Sequence, residues 1–372
     1  MKTKKVFLSI IIVGLLIGFT LTFHRTVNTS DGWQMALPNE VGMDEAILKD
    51  MVNKMHNGEF GKFDALVIVK DGKIILDEYE NGYNSKKVHE IASITKSITS
   101  LLIGMAKDKG EIKSEEEKII NYFNGYKIQN LDERKKAITI KDILTMRSGF
   151  NWNEWTTPMD KNNPLMKMYN NSSWIKTSIN ANMAYDPGTV FQYNSGGVIL
   201  LDHIINSSTG MSSTKYAQKY LFEPLGIKEY FWSKEIMFFG GTTNTGGGLN
   251  LRPRDLAKIG QMVLNKGKWN GKQIVSEEWL NESFKQHVEL VNLGIMRSGY
   301  GYLWYIFPEN MNTWGDNSIY ACCGAGGQYM FIIPKYNTIV VTTANEFDDH
   351  SAILNGATEI LYNYILKSIK AR

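Results

Sequence analysis

Cysteine is nearly missing: two residues, adjacent at Cys322 and Cys323, in a chain of 372. That excludes a disulfide-stapled scaffold and any zinc site built mainly from cysteine. Neighbouring thiols could close only a strained ring, so free or packing cysteines are expected. Net charge is also missing, apart from one segment. The formal +3 of the chain sits in residues 1–33, where Lys2, Lys4, Lys5 and Arg25 face only Asp31. The neutral remainder excludes nucleic acid as the main partner. No HExxH, CxxC, GxxxxGK[ST] or GxSxG motif is present. Gly246-Gly247-Gly248 does not fit a dinucleotide fingerprint and reads as a loop. Histidines at 24, 56, 89, 203, 287 and 350 lack ligand spacing, so neither a metal nor an organic cofactor is implied. There is no internal repeat and no low-complexity tract.

Long apolar runs are absent too, save one. Residues 6–23 form an apolar or near-apolar stretch behind three lysines. It is longer than a usual secretory core and just long enough to span a bilayer. The lysines predict a cytoplasmic N-terminus and an exported body. With no A-x-A-like site following, the segment reads as an uncleaved anchor; the alternative is a signal removed after export.

The body, at 43% hydrophobic and 21% charged residues, has the composition of a globular protein with a substantial core. Residues 65–69 and 73–79 flank Asp71-Gly72 and predict a hairpin. Residues 329–333 and 338–342 predict a second strand pair around the turn 334–337, and residues 301–307 are read as a further strand. Ile94, Ile98, Leu101, Leu102 and Met105 mark one helix, and Pro253 and Gly267 bracket another. Residues 353–365 carry one apolar helical face, and the charge run 113–118 reads as a solvated helix face. Strands at both ends with helices between predict one sheet built from distant parts of the chain and interrupted by a helical insertion.

Chemistry points to Ser93-Ile94-Thr95-Lys96. On a helix, residues three apart share a face, so a hydroxyl and an amine would meet there. A desolvated lysine is neutral enough to take the proton of a serine and make it a nucleophile. The S-x-x-K pattern recurs at Ser173–Lys176 and Ser212–Lys215, but only Ser93 follows a predicted strand pair and opens a strongly apolar helix.

Downstream stand Tyr193-Asn194-Ser195-Gly196-Gly197, then Gly324-Ala325-Gly326-Gly327-Gln328 ahead of a strand. In this order the sequence resembles the penicillin-recognising serine hydrolases, which include class C β-lactamases, DD-peptidases, esterases and nylon-oligomer hydrolases. Residues 138–149 (ITIKDILTMRSG), Asp186-Pro187-Gly188, 221–226 (LFEPLG) and 246–256 (GGGLNLRPRDL) extend the likeness over roughly residues 40–366. Tyr83-Asn84-Ser85 is a rival to the second motif, in the wrong order.

The resemblance implies an α/β fold (α+β) in which an antiparallel sheet is flanked by helices. The sheet domain would comprise 34–110 and 290–372, with a mostly helical domain inserted at 111–289. It implies Ser93 as nucleophile, Lys96 as base and Tyr193 as proton relay. Backbone N–H groups of Ser93 and Gln328 would hold the oxyanion, with Ser195, Ala325, Gly326 and Gly327 on the substrate side. Two departures bear on substrate. Ser195 replaces the asparagine of class C β-lactamases, and Ala325 stands where many relatives carry a lysine or histidine that anchors a carboxylate. Arg252, Arg254 and Arg297 are candidates to replace that cation. Trp152, Trp155, Trp232 and Trp304 are candidates for an acyl pocket or, equally, for packing. The expected activity is ester or amide hydrolysis of a small-molecule or peptide substrate through an acyl-enzyme. The alternatives are a DD-carboxypeptidase or β-lactamase, and a non-catalytic scaffold that kept the fold.

Overall fold

Asp71 and Gly72 both adopt positive φ, 49° and 76°, the backbone that a two-residue hairpin turn demands. They join β2 (Phe63–Lys70) to β3 (Lys73–Tyr79), after a short β1 (Gln34–Met35) that lies parallel to β3. The computed structural model describes residues 29–155, 157–234, 241–293, 296–310, 313–347 and 350–370. The expected membrane segment, 6–23, lies outside the described residues. No helix among the described residues is long and apolar enough to cross a membrane.

The C-terminal part supplies β4 (Val288–Leu293), β5 (Met296–Tyr300), β6 (Tyr305–Asn310), β7 (Thr313–Gly324), β8 (Gln328–Ile333) and β9 (Thr338–Ala344). The nine strands run in the order β1-β3-β2-β9-β8-β7-β6-β5-β4, antiparallel except at β1. The two ends of the chain meet where β9 pairs with β2, Thr338 opposite Lys70 and Val341 opposite Val67. Both strands, and β8, are buried along their whole length. Continuous apolar runs such as Leu66-Val67-Ile68-Val69 suit strands covered on both faces.

Helix Pro253–Leu264 lies in sequence within the expected insertion but packs in space on β2, β8 and β9. A Cβ at Gly260 would stand 3.0 Å from both Ile339 and Met330, so glycine sets how closely this helix approaches. The segment 111–287 otherwise contributes mainly short helices, the long helix Ser195–Thr209, a two-stranded sheet and two strands of a three-stranded one.

Three expected elements differ. Residues 113–118 form a turn rather than a helix, because their carboxylates pair outward: Glu115 with Lys107, Glu116 with Lys141, and Glu117 with Tyr122. Residues 301–304 make a turn closed by the Gly301 N–H on the Trp304 carbonyl, with Leu303 at φ 62°, and β6 starts only at Tyr305. The closing helix His350–Glu359 continues through a wider π turn, Ile360–Ile365, and ends at Leu366–Ser368. Ala357, Ile360, Leu361 and Ile365 are buried as the periodicity predicts.

Candidate active site

The strand His89–Glu90 is anchored by the pair His89–Asp64, 2.9 Å apart, and by the ladder to Leu251 and Asn250. Two residues later Ala92 takes φ 44°, a left-handed conformation that costs a non-glycine residue of the order of 1 kcal/mol. This elbow delivers Ser93 to the start of helix Ile94–Asp108 with its side chain uncommitted to capping. The other two S-x-x-K serines spend theirs on it. Ser173 accepts from the Lys176 N–H and Ser212 from the Lys215 N–H.

One turn into the helix, Lys96 is buried and aims Nζ at Ser93 Oγ, 3.0 Å away, while donating to the Gly246 carbonyl at 2.6 Å. Burial pushes its pKa down to about 8, against the opposing pull of the Glu154 carboxylate. An amine held there is neutral often enough to accept a proton.

Tyr193 precedes helix Ser195–Thr209, whose first turn is capped by Asn194 Oδ1 accepting from the Gly197 N–H at 2.7 Å. The Tyr193 ring lies 4.7 Å from Lys96 Nζ and stacks on Trp155 at 4.5 Å. Burial, reinforced by Glu154, raises its pKa so that it stays protonated. Ser195 is buried, donates Oγ–H to Glu154 Oε1 at 2.6 Å, and gives its N–H to Oε2 at 2.9 Å. The same Oε2 accepts from Trp152 Nε1 at 2.5 Å.

These groups open on a cavity of about 650 Å³. Ser93, Tyr193, Ser195 and Ala325 line it, with Lys96 directly behind Ser93. Gln328, Gly326 and Gly327 do not line it. Gln328 is registered opposite Gly324 in the β7–β8 hairpin, and its side-chain amide holds the backbone of Ala344 on β9. Gly326 and Gly327, at φ 80° and 97°, make the turn itself. The wall on this side is Cys323, Gly324 and Ala325. Both cysteines are free. Of the four tryptophans only Trp155 faces the cavity. Trp152 and Trp232 are buried and bonded, to Glu154 and to the Asn244 carbonyl, and Trp304 is core. Arg252 pairs with Asp255, and Arg254 with Asp31 and Asp77. The side chain of Arg297 lies outside the described residues.

A beta-lactamase family model matches residues 64–362. The chain belongs to the beta-lactamase family. This is a family of serine hydrolases with amidase and esterase relatives. The chain is 22% identical over 300 residues to the 6-aminohexanoate-dimer hydrolase of Paenarthrobacter ureafaciens, covering 75% of this chain and 71% of that one. It is 23% identical over 309 residues to Beta-lactamase-like protein 2 of Dictyostelium discoideum, covering 77% of this chain and 55% of that relative's length. It therefore spans about half of that longer protein. Among solved structures, EstCE1, a hydrolase with promiscuous acyltransferase activity, superposes with a TM-score of 0.68 at 12% identity, covering 86% of this chain and 99% of EstCE1.

Glu154 escaped the sequence reading. It stands between Trp152 and Trp155 in irregular chain, outside every motif, and only its hydrogen bonds reveal it. Gly246 escaped for another reason, since it holds Lys96 with a backbone carbonyl.

Proposed function

We propose that the chain hydrolyses ester or amide bonds through an acyl-enzyme on Ser93. Neutral Lys96 takes the Ser93 proton as Oγ attacks the carbonyl carbon, giving a tetrahedral oxyanion. The Ser93 N–H and a backbone N–H of the 323–325 segment stabilise that charge. Collapse breaks the bond to the leaving group, which receives the proton from Lys96 by way of Tyr193. Water, deprotonated by the same groups, then attacks the acyl-enzyme and releases the acid.

The single observation that carries this reading is Lys96 Nζ at 3.0 Å from an uncapped Ser93 Oγ, with a pKa near neutrality. The test is intact-mass analysis after incubation with a fluorophosphonate probe, beside Ser93→Ala. One adduct on the wild type and none on the variant is expected. No adduct on either would leave the scaffold reading standing.

A cell-wall peptidase or β-lactamase needs a cation for the substrate carboxylate. No lysine, arginine or histidine is among the described residues lining the cavity. We therefore favour substrates without a carboxylate at that point. Export, by anchor or cleaved signal, belongs to the same proposal and rests on residues 1–33.

A further inference from the structure

The charged and unpartnered groups of the cavity share one character. Glu154 and Glu90 are its only described ionisable side chains besides phenols and the Cys323 thiol, and both are carboxylates. A carboxylate accepts hydrogen bonds and donates none. Three N–H or O–H groups approach Glu154, from Trp152, Ser195 N and Ser195 Oγ, and they leave Oε1 able to accept once more. Because the Ser195 hydroxyl hydrogen is committed to Glu154, Ser195 Oγ presents only lone pairs to the cavity.

A third acceptor stands beside them. Asn244 lines the cavity, is 6% exposed, donates Nδ2 to Tyr169 at 3.2 Å, and has no partner for Oδ1. A buried carbonyl oxygen left unpaired costs about 1–3 kcal/mol. Tyr169 ties the cluster together, since its phenol feels both Glu154 and Glu90 as well as bonding Asn244. The tyrosines supply hydroxyl donors elsewhere on the wall, none of them positively charged.

We propose that this acceptor cluster, Glu154, Ser195 and Asn244 with Glu90 at the mouth, binds a protonated amine of the substrate. The substrate class is then amino-acyl esters or amides, their ammonium group on the cluster while Ser93 attacks the acyl carbonyl. Substrates with a carboxylate in that place are repelled. This rests on the hydrolase reading above and narrows it.

The test compares 4-nitroanilides whose acyl groups are glycyl, β-alanyl and γ-aminobutyryl with uncharged and carboxylate-ended acyl chains of matched length. For the best-fitting length, kcat/KM for the ammonium substrate is expected to exceed that of its uncharged counterpart by about tenfold or more, as charge-assisted hydrogen bonds imply. The carboxylate substrate is expected to fall below both. Glu154→Gln should collapse the ammonium preference. Folding of the variant is checked by its melting transition, and the wild-type ratio decides the matter even if Glu154→Gln does not fold. An equal or inverted wild-type ratio overturns the proposal, as does a preference that survives Glu154→Gln. Failure of fluorophosphonate to label Ser93 would instead overturn the hydrolase reading.

Discussion

A Cβ on Gly324 would stand 2.6 Å from the carbonyl oxygen of Ile91. The glycine at the end of β7 is what lets this strand close against the elbow carrying Ser93. The same Cβ would reach Ala92 at 3.1 Å. Gly324→Ala must push strand and elbow apart, and small displacements of a nucleophile are expensive in rate. A loss of about a hundredfold or more in kcat/KM is expected, with a stability cost of about 1–3 kcal/mol from overpacking. Near wild-type turnover would show that the elbow tolerates the shift.

The pH profile follows from Lys96. Its pKa of about 8 makes the neutral base more abundant as pH rises, so kcat/KM is expected to climb with a midpoint near pH 8. Glu154 favours the ammonium form, so Glu154→Gln should move that midpoint downward. A flat profile from pH 6 to 9 would contradict Lys96 as the base.

Stability carries the same signature. The folded pKa of Lys96, about 8, lies below its ordinary 10.5. Below pH 8 both folded and unfolded chains hold the proton and the full burial penalty applies. Between about 8 and 10.5 the unfolded chain binds more protons, so stability rises with pH. Compared with Lys96→Met, the wild type should gain about 3 kcal/mol across that window. Urea unfolding of both proteins at pH 7.5 and pH 10.5 measures the difference. An unchanging gap would mean that Lys96 is not desolvated.

The two other S-x-x-K serines are predicted to matter only for folding. Ser173→Ala and Ser212→Ala each remove an N-cap and should cost about 1 kcal/mol with kcat unchanged. A large loss of kcat with intact stability in either variant would reopen the choice of nucleophile.

Much of this was legible in the sequence because its signals are local. Asp71-Gly72 marks its own hairpin, and Ser93 and Lys96 declare a shared face by spacing alone. What was hidden depends on tertiary contact. Nothing near Gln328 tells that its side chain bonds the backbone of Ala344. Nothing near Glu154 tells that Ser195 lies against it across 41 residues of chain. The turn at 113–118 was misread because charge density resembles a helix face, whereas the pairing partners Lys107 and Lys141 lie on other elements.

The sheet order has a consequence for how the protein is made. β9 follows every other described strand in the sequence, yet it sits in the interior of the sheet between β2 and β8. The hairpin that precedes Ser93 therefore waits for a partner more than 250 residues downstream. Loop closure over that span must precede its reward, which makes folding slow and late. The wall that completes the cavity, at residues 323–325, arrives almost as late. A nascent chain thus carries Ser93 and Lys96 together long before the wall that completes their cavity has been made.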